Sequence, residues 1–302
     1  MRLTAHRASS LRAPRLVQVA FLLPAAAVLV VFVGWPLAMV AGLSLFQWDL
    51  VGPAPLFVGL ENYAAALGGG DYGRLLLQSA AYVAIALAGT FALPAGLALL
   101  TTAVPRRAAA VYQSLLFLPA VVAVSVGTLA WQWIYQPEGG PLNALLGALH
   151  VPPVNWLNDP GTALLAVGVV ASWKFGGFNY LVLLAGLAGV PRDCLEAARV
   201  DGAGGVRMLG LVVLPLLRPT LLFAGLTTVL QALTNAFVPL DLLTGGGPAG
   251  ASGNVLYATY QEGLRTFHAG PASADAVLLM LLLGGVAVWW FRVFDRRAAD
   301  VG

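Results

Sequence analysis

The chain has 302 residues, 59% of them apolar and only 10% charged, against about 25% charged in ordinary soluble domains, which excludes a water-soluble globular domain. A net charge of +3 would suit a polyanion partner in a soluble protein, but in a membrane chain the arginine excess is set by topology, and nucleic-acid binding is not expected. The single cysteine, Cys194, excludes an internal disulfide.

A basic tail over 1–15, with Arg2, Arg7, Arg12 and Arg15, precedes the first of six apolar runs long enough to cross about 30 Å of hydrocarbon. The runs lie near 16–45, 76–104, 110–135, 162–188, 211–238 and 272–294, which predicts an all-α, polytopic membrane protein with six transmembrane helices. The first run exceeds the roughly 7–15 apolar residues of a signal peptide and reads as a retained span. Pro36 and the polar turn at 47–49 are expected to close it. Residues 51–74, rich in Gly and Pro, read as an outer loop. Pro24, Pro94 and Pro119 lie inside apolar runs, where each deletes a helical hydrogen bond, so kinks are expected there. A second outer loop, 136–161, is expected to carry a short interfacial helix at 142–149. A third, 239–271, contains Thr244-Gly-Gly-Gly-Pro248, and a short tail follows from 295 to 302.

Orientation follows from the arginines. The N-terminal tail, the turn with Arg106 and Arg107, the loop with Arg192, Arg199, Arg207 and Arg218, and the end with Arg292, Arg296 and Arg297 together hold 13 of the 16 basic residues. Basic residues in short flanking loops are retained inside, so both termini and these loops are expected in the cytoplasm. The opposite loops hold Arg74 and Arg265 among Asp49, Glu61, Asp71, Glu138, Asp159, Asp241 and Glu262. Lys174, the sole lysine, falls inside the fourth span.

The loop at 189–219 is a charged, glycine-punctuated island that must sit in water. Pro191 suits a helix start and Asp193 a cap or first-turn acid. Glu196-Ala-Ala-Arg-Val then suits a short surface helix, ended by Gly202, where a left-handed residue costs little. A second helix is expected to climb from about Val206, bent or restarted at Pro215 and Pro219. The result is a helix–turn–helix knob on which Ala197, Ala198 and Ala203 offer a flat surface and Glu196 and Asp201 offer charge. In isolation, Glu196 and Arg199 read first as an i,i+3 surface pair, and it is the complete string that reverses this.

The string Glu196-Ala-Ala, then Asp201-Gly-Ala, then Leu214-Pro and a second proline at Pro219, closely resembles the cytoplasmic signature of permease subunits of ATP-binding-cassette importers. Phe57-Val-Gly-Leu-Glu-Asn-Tyr63, Trp173-Lys-Phe-Gly-Gly-Phe178, Leu184-Ala-Gly-Leu187 and Thr244-Gly-Gly-Gly-Pro248 resemble the binding-protein-dependent, sugar-carrying subgroup (maltose/glycerol-phosphate-like). The first span with Pro36 and its phenylalanine-rich exit is similar to the first permease of a heteromeric pair. Leu209 stands where the family often has phenylalanine, and Gly204 where serine is common.

The resemblance implies an importer-permease (MetI-like) fold in a bacterial plasma membrane. Its implied partners are a second permease subunit, two ATPase subunits and an extracytoplasmic solute-binding protein, and its implied cargo is a sugar or sugar-like solute moved inward by alternating access. It also implies that Glu196, Ala197, Ala198, Asp201, Gly202 and Ala203 dock into the ATPase, and that the loop at 244–248 lies near the docked binding protein. The chemistry agrees independently on the motor. A phosphate-binding loop ends in Gly-Lys-Ser/Thr, whereas Lys174 follows Trp173, so ATP hydrolysis must come in trans.

Polar residues inside spans mark either helix contacts or a water-filled path. Thr228, Gln231 and Asn235, at i, i+3 and i+7, share one face of the fifth span. Their hydroxyl and amides could replace the hydration of sugar hydroxyls or could bond helices together. Lys174, beside Trp173 and before Asn179, is expected to point inward, to a partner carboxylate, to the path, or by snorkelling to the interface. His6, His150 and His268 are far apart in tail and loops, so no metal site or cofactor is expected. No catalytic set is visible. The alternative, an ion-driven secondary transporter, would carry carboxylates buried within spans, and only Asp275 approaches that.

Overall fold

The computed structural model describes residues 15–50, 52 and 54–299. Arg2, His6, Arg7 and Arg12 of the expected tail therefore lie outside the described residues, as do the side chains of Arg15, Arg296 and Arg297.

Among the described residues five helices are long and apolar enough to cross a bilayer: Phe21–Leu43, Gly70–Thr102, Ala163–Ala188, Gly205–Leu243 and Ala269–Val293. The third expected span is not one helix. It is a pair, Arg106–Val121 and Val124–Ile134, bent by 99°. Pro119, which cannot donate to the carbonyl one turn back, weakens the last turn of the first piece. Val122 and Ala123 then turn extended, with ψ of 137° and 135°.

Three spans pass from α-helix through a short π-helical stretch, Val30–Gly34, Leu87–Ala92 and Leu209–Val213. In each case the next α-helix has a proline in its first two positions, Pro36, Pro94 and Pro215. A proline ring pushes against the carbonyl one turn earlier and donates nothing to it, and a widened turn absorbs both faults. Pro36 consequently does not close the first span, contrary to expectation, since the helix runs on to Leu43.

The span is closed instead by residues read as loop. Phe46–Gln47 pairs antiparallel with Leu56–Phe57, and a helix follows at Glu61–Gly68. From that helix the buried Asn62 donates to the carbonyls of Ser44 and Phe46, both at 2.9 Å, and Tyr63 shares a 2.6 Å hydrogen bond with the Ser44 hydroxyl. The two Asn62 bonds satisfy carbonyls of the chain just beyond the helix end, and the Tyr63 bond anchors its C-cap serine. The second span consequently starts at Gly70, six residues before the apolar run. The expected interfacial helix is present at Pro141–Ala148. It is tied to its loop by Asn143, which bonds Val154 in both directions and accepts from the Trp156 indole.

The fourth span is the central post, packed against the second, third and fifth. It touches the third at Gly177, where a methyl group would collide with the Leu116 carbonyl, so only glycine allows the backbones to meet. The larger core cluster joins Tyr82, Tyr135, Val167, Val170, Leu233, Leu240, Val255 and Tyr257. By contrast the first span buries none of its apolar stretch and touches chiefly the last span.

Candidate functional site

The island folds as a knob. Its helix, Arg192–Val200, has Pro191 at the N-cap position, Asp193 in the first turn and Arg199 in the last, which matches charge to the helix dipole at both ends. Asp201 is the C-cap and Gly202 sits at φ +75°. The Gly202 amide donates to Arg199 O at 3.0 Å and the Ala203 amide to Ala198 O at 2.9 Å. That double closure is a Schellman motif, and it reverses the chain within two residues. A short helix, Gly205–Met208, then leads through the π-helical stretch into the fifth span.

Glu196, Ala197, Asp201 and Gly202 are exposed and Ala203 is half-buried, whereas Ala198 is turned inward and buried. The exposed surface is thus narrower than the alanine string suggests, because positions 197 and 198 lie about 100° apart on a helix. No ion pair joins Glu196 to Arg199 among the described residues. Val200 and Val206, each 88% exposed, flank the turn and give the knob an apolar tip. Neither stood out in the sequence, where a valine beside a membrane span is unremarkable.

The polar residues inside the spans divide into two groups. Asn179 donates to the Thr90 carbonyl and to the Thr228 hydroxyl, both at 2.8 Å, and Thr228 donates on to Ala224 O at 2.7 Å. These buried bonds tie the second, fourth and fifth spans together. Gln231 is exposed on the fifth span, and Asn235, half-buried, lines a void of about 10 Å³ with Tyr82, Thr90, Ser172 and Thr228, about enough for one water.

Lys174 is buried, and its Nζ donates to Ala120 O at 2.7 Å. It closes an orphan carbonyl at the end of the helix that breaks at Val122. Trp173 meets Trp131 edge-on at 5.8 Å and packs over Gly127. Both tryptophans line an apolar cleft of about 610 Å³ beneath the elbow.

On the face opposite the knob, Arg74, Gln78 and Tyr82 project from one stripe of the second span and grip the glycine loop rung by rung. Arg74 donates to Ala249 O at 3.1 Å, Gln78 to Gly250 O and Ala251 O at 2.8 and 2.9 Å, and Tyr82 to Ser252 O at 2.7 Å. Their i, i+4, i+8 spacing was visible in the sequence, but their partners, some 170 residues away, were not. Among the described residues no group of three or more His, Cys, Asp or Glu side chains is placed to hold a metal.

Comparison with known proteins bears on the whole chain. The family profile of the "Binding-protein-dependent transport system inner membrane component" matches residues 8–300. A protein of Agrobacterium fabrum described as "sn-glycerol-3-phosphate transport system permease protein UgpA" is 33% identical over 274 residues, 89% of this chain and 91% of that one. Its counterpart in Rhizobium meliloti is 32% identical over 273 residues, again 89% and 91%. Among solved structures, a chain of a bacterial ABC transporter involved in the import of the acidic polysaccharide alginate superposes with a TM-score of 0.78 at 20% identity, covering 93% of this chain and 96% of that one. A chain of the MetNI methionine ABC transporter gives 0.51 at 18% identity, covering 74% and 93%.

Proposed function

The chain belongs to the family of binding-protein-dependent transport system inner membrane components, and from that membership we propose how it works as the permease of an ATP-binding-cassette importer. It pairs with a second permease subunit, two ATPase subunits and an extracytoplasmic solute-binding protein, and it carries a sugar or sugar-like solute inward. Both termini and the loop at 189–219 face the cytoplasm, in keeping with the arginine distribution. ATP binding closes the ATPase pair, the knob transmits that motion into the fifth span, and the spans re-expose the path to the other side. No covalent chemistry takes place in this chain.

The observation that carries this reading is the knob itself, a rigidly closed turn holding unpaired Glu196 beside the exposed Val200 and Val206. Its chain continues through one short helix into the fifth span, so a rotation of the knob is a rotation of that span. Gln231 and Asn235 lie on the same span. Unlike Asn179 and Thr228 they are not consumed by helix contacts, and they form the solute-facing edge.

The test is uptake by the complex of this chain with its second permease, ATPase and binding-protein partners. Uptake of labelled maltose or sn-glycerol 3-phosphate should stop when ATP is depleted and survive an ionophore. The reverse pattern would support the ion-driven alternative and overturn this reading.

A further inference from the structure

Where the Arg74–Gln78–Tyr82 ladder pins the glycine loop, a cleft of about 390 Å³ opens beside it, lined by Asp71, Arg74, Gly246, Tyr257 and Gln261 among others. Its size is in the range of small-molecule sites, about 300–1,000 Å³. Its walls are preformed. The ladder fixes the loop's carbonyls on one side, Thr244 and Ser252 share a 2.8 Å hydrogen bond within the loop, and Asn254 caps the helix Val255–Tyr260 that carries Tyr257 by accepting from the Tyr257 amide at 2.9 Å.

The lining chemistry is mixed and nearly neutral. Asp71 and Arg74 pair at 3.1 Å, so their charges offset, while each keeps unused capacity: the carboxylate has further lone pairs and the guanidinium further N–H groups. Gln261 adds an amide with both donor and acceptor. Gly246 is buried, and its N–H meets no acceptor among the described residues. The Tyr257 ring packs against Gly246 and offers an apolar face. Behind this lining Gln78 Oε1, a buried acceptor without a partner, lies 3.8 Å from where a methyl group on Gly253, another lining residue, would sit. An exposed, offset ion pair, an amide that both donates and accepts, and one aromatic face match hydroxyl groups, each of which donates and accepts.

We propose that this cleft is a binding subsite for an uncharged polyhydroxylated solute, one sugar ring or a comparable polyol, at the extracytoplasmic mouth of the path. The inference rests on the importer reading above and adds to it a second place, on the opposite side of the molecule from the knob, where solute pauses. A strongly anionic solute is disfavoured because the Asp71 carboxylate stands 3.1 Å from the cation that would attract it.

The experiment is saturation-transfer NMR on the assembled permease and ATPase complex in nanodiscs, without binding protein or nucleotide. The probes are glucose, maltose and glycerol against glucuronate and sn-glycerol 3-phosphate. At least one neutral probe should bind and the two anions should not outcompete it. Affinity should fall about tenfold in Asp71→Ala and in Gln261→Ala, as expected for one lost hydrogen bond to a charged or well-placed group, and should be unchanged in Glu138→Ala, an exposed position that does not line the cleft. Unaltered melting temperatures show that the variants are folded. No signal from any neutral probe, preference for the anions, or binding that responds to Glu138→Ala and not to Asp71→Ala or Gln261→Ala would each overturn the subsite. None of these results touches the importer reading, which stands or falls on ATP-dependent uptake.

Discussion

Lys174 Nζ donates to the carbonyl of Ala120 at 2.7 Å, so the one lysine of the chain braces the end of a broken helix. That bond uses one of the three ammonium N–H groups and bridges the fourth span to the elbow between Arg106–Val121 and Val124–Ile134.

Lys174→Met removes the donor and leaves the half-buried Ala120 carbonyl without it, which costs about 1 kcal/mol. The purified complex should melt at a lower temperature, while the affinity for solute stays close to that of the wild type. A variant that melts normally but binds solute more weakly would place Lys174 on the path instead.

Gly202 has open space around a would-be Cβ, so its constraint is its φ of +75° alone. A β-branched residue there strains the turn by about 1–2 kcal/mol. Gly202→Val should insert and assemble, yet lose most of the stimulation of ATP hydrolysis by the loaded binding protein. Gly202→Asn, which tolerates the left-handed region better, should retain part of it. Equal loss in both variants would point away from backbone strain.

Asn179 and Gln231 should part company. Asn179→Leu breaks two buried hydrogen bonds and should destabilise the fold by about 1–3 kcal/mol. Gln231→Ala, on an exposed position, should leave melting unchanged and alter the KM of uptake. A destabilised Gln231→Ala with normal uptake would return that residue to the role of a helix contact.

The exposed thiol of Cys194 reports orientation. An impermeant maleimide should label it only in inverted vesicles. Labelling of intact spheroplasts would reverse the assigned sidedness.

His268 Nδ1 lies 2.7 Å from Glu262 Oε1 and its Nε2 4.0 Å from Asp49 Oδ1. The hydrogen bond to Glu262, aided by the charges of Glu262 and Asp49, raises its pKa above the ordinary 6.5. A raised pKa means the protonated ring is favoured by folding. The stabilisation is complete below 6.5 and is lost as pH climbs through the folded-state value. The difference in melting temperature between wild type and His268→Ala should therefore be largest near about pH 5.5 and shrink toward about pH 9. A difference that grows with pH would refute the pairing.

Much of this was legible in the sequence because the signals are local. The knob announces itself through Asp193, Gly202 and the spacing between them, and the helix at Pro141–Ala148 through its leading proline. What escaped depends on carbonyls that only the fold brings near. The polar side chains of Asn62, Gln78 and Lys174 were plain to read, but their acceptors are main-chain oxygens 16 to 173 residues away, and main-chain oxygens carry no sequence signature. The elbow escaped for a related reason. Pro119 signals a weakened turn, but the contacts that accompany the 99° break, Lys174 on the Ala120 carbonyl and the close approach at Gly177, come from the fourth span.

The central claim is that the knob transmits the motor's motion, and the most direct measurement is ATP hydrolysis by the reconstituted complex carrying Glu196→Lys, with and without loaded binding protein. Basal hydrolysis should persist while stimulation and uptake collapse together. Stimulation and uptake at wild-type levels would contradict the account.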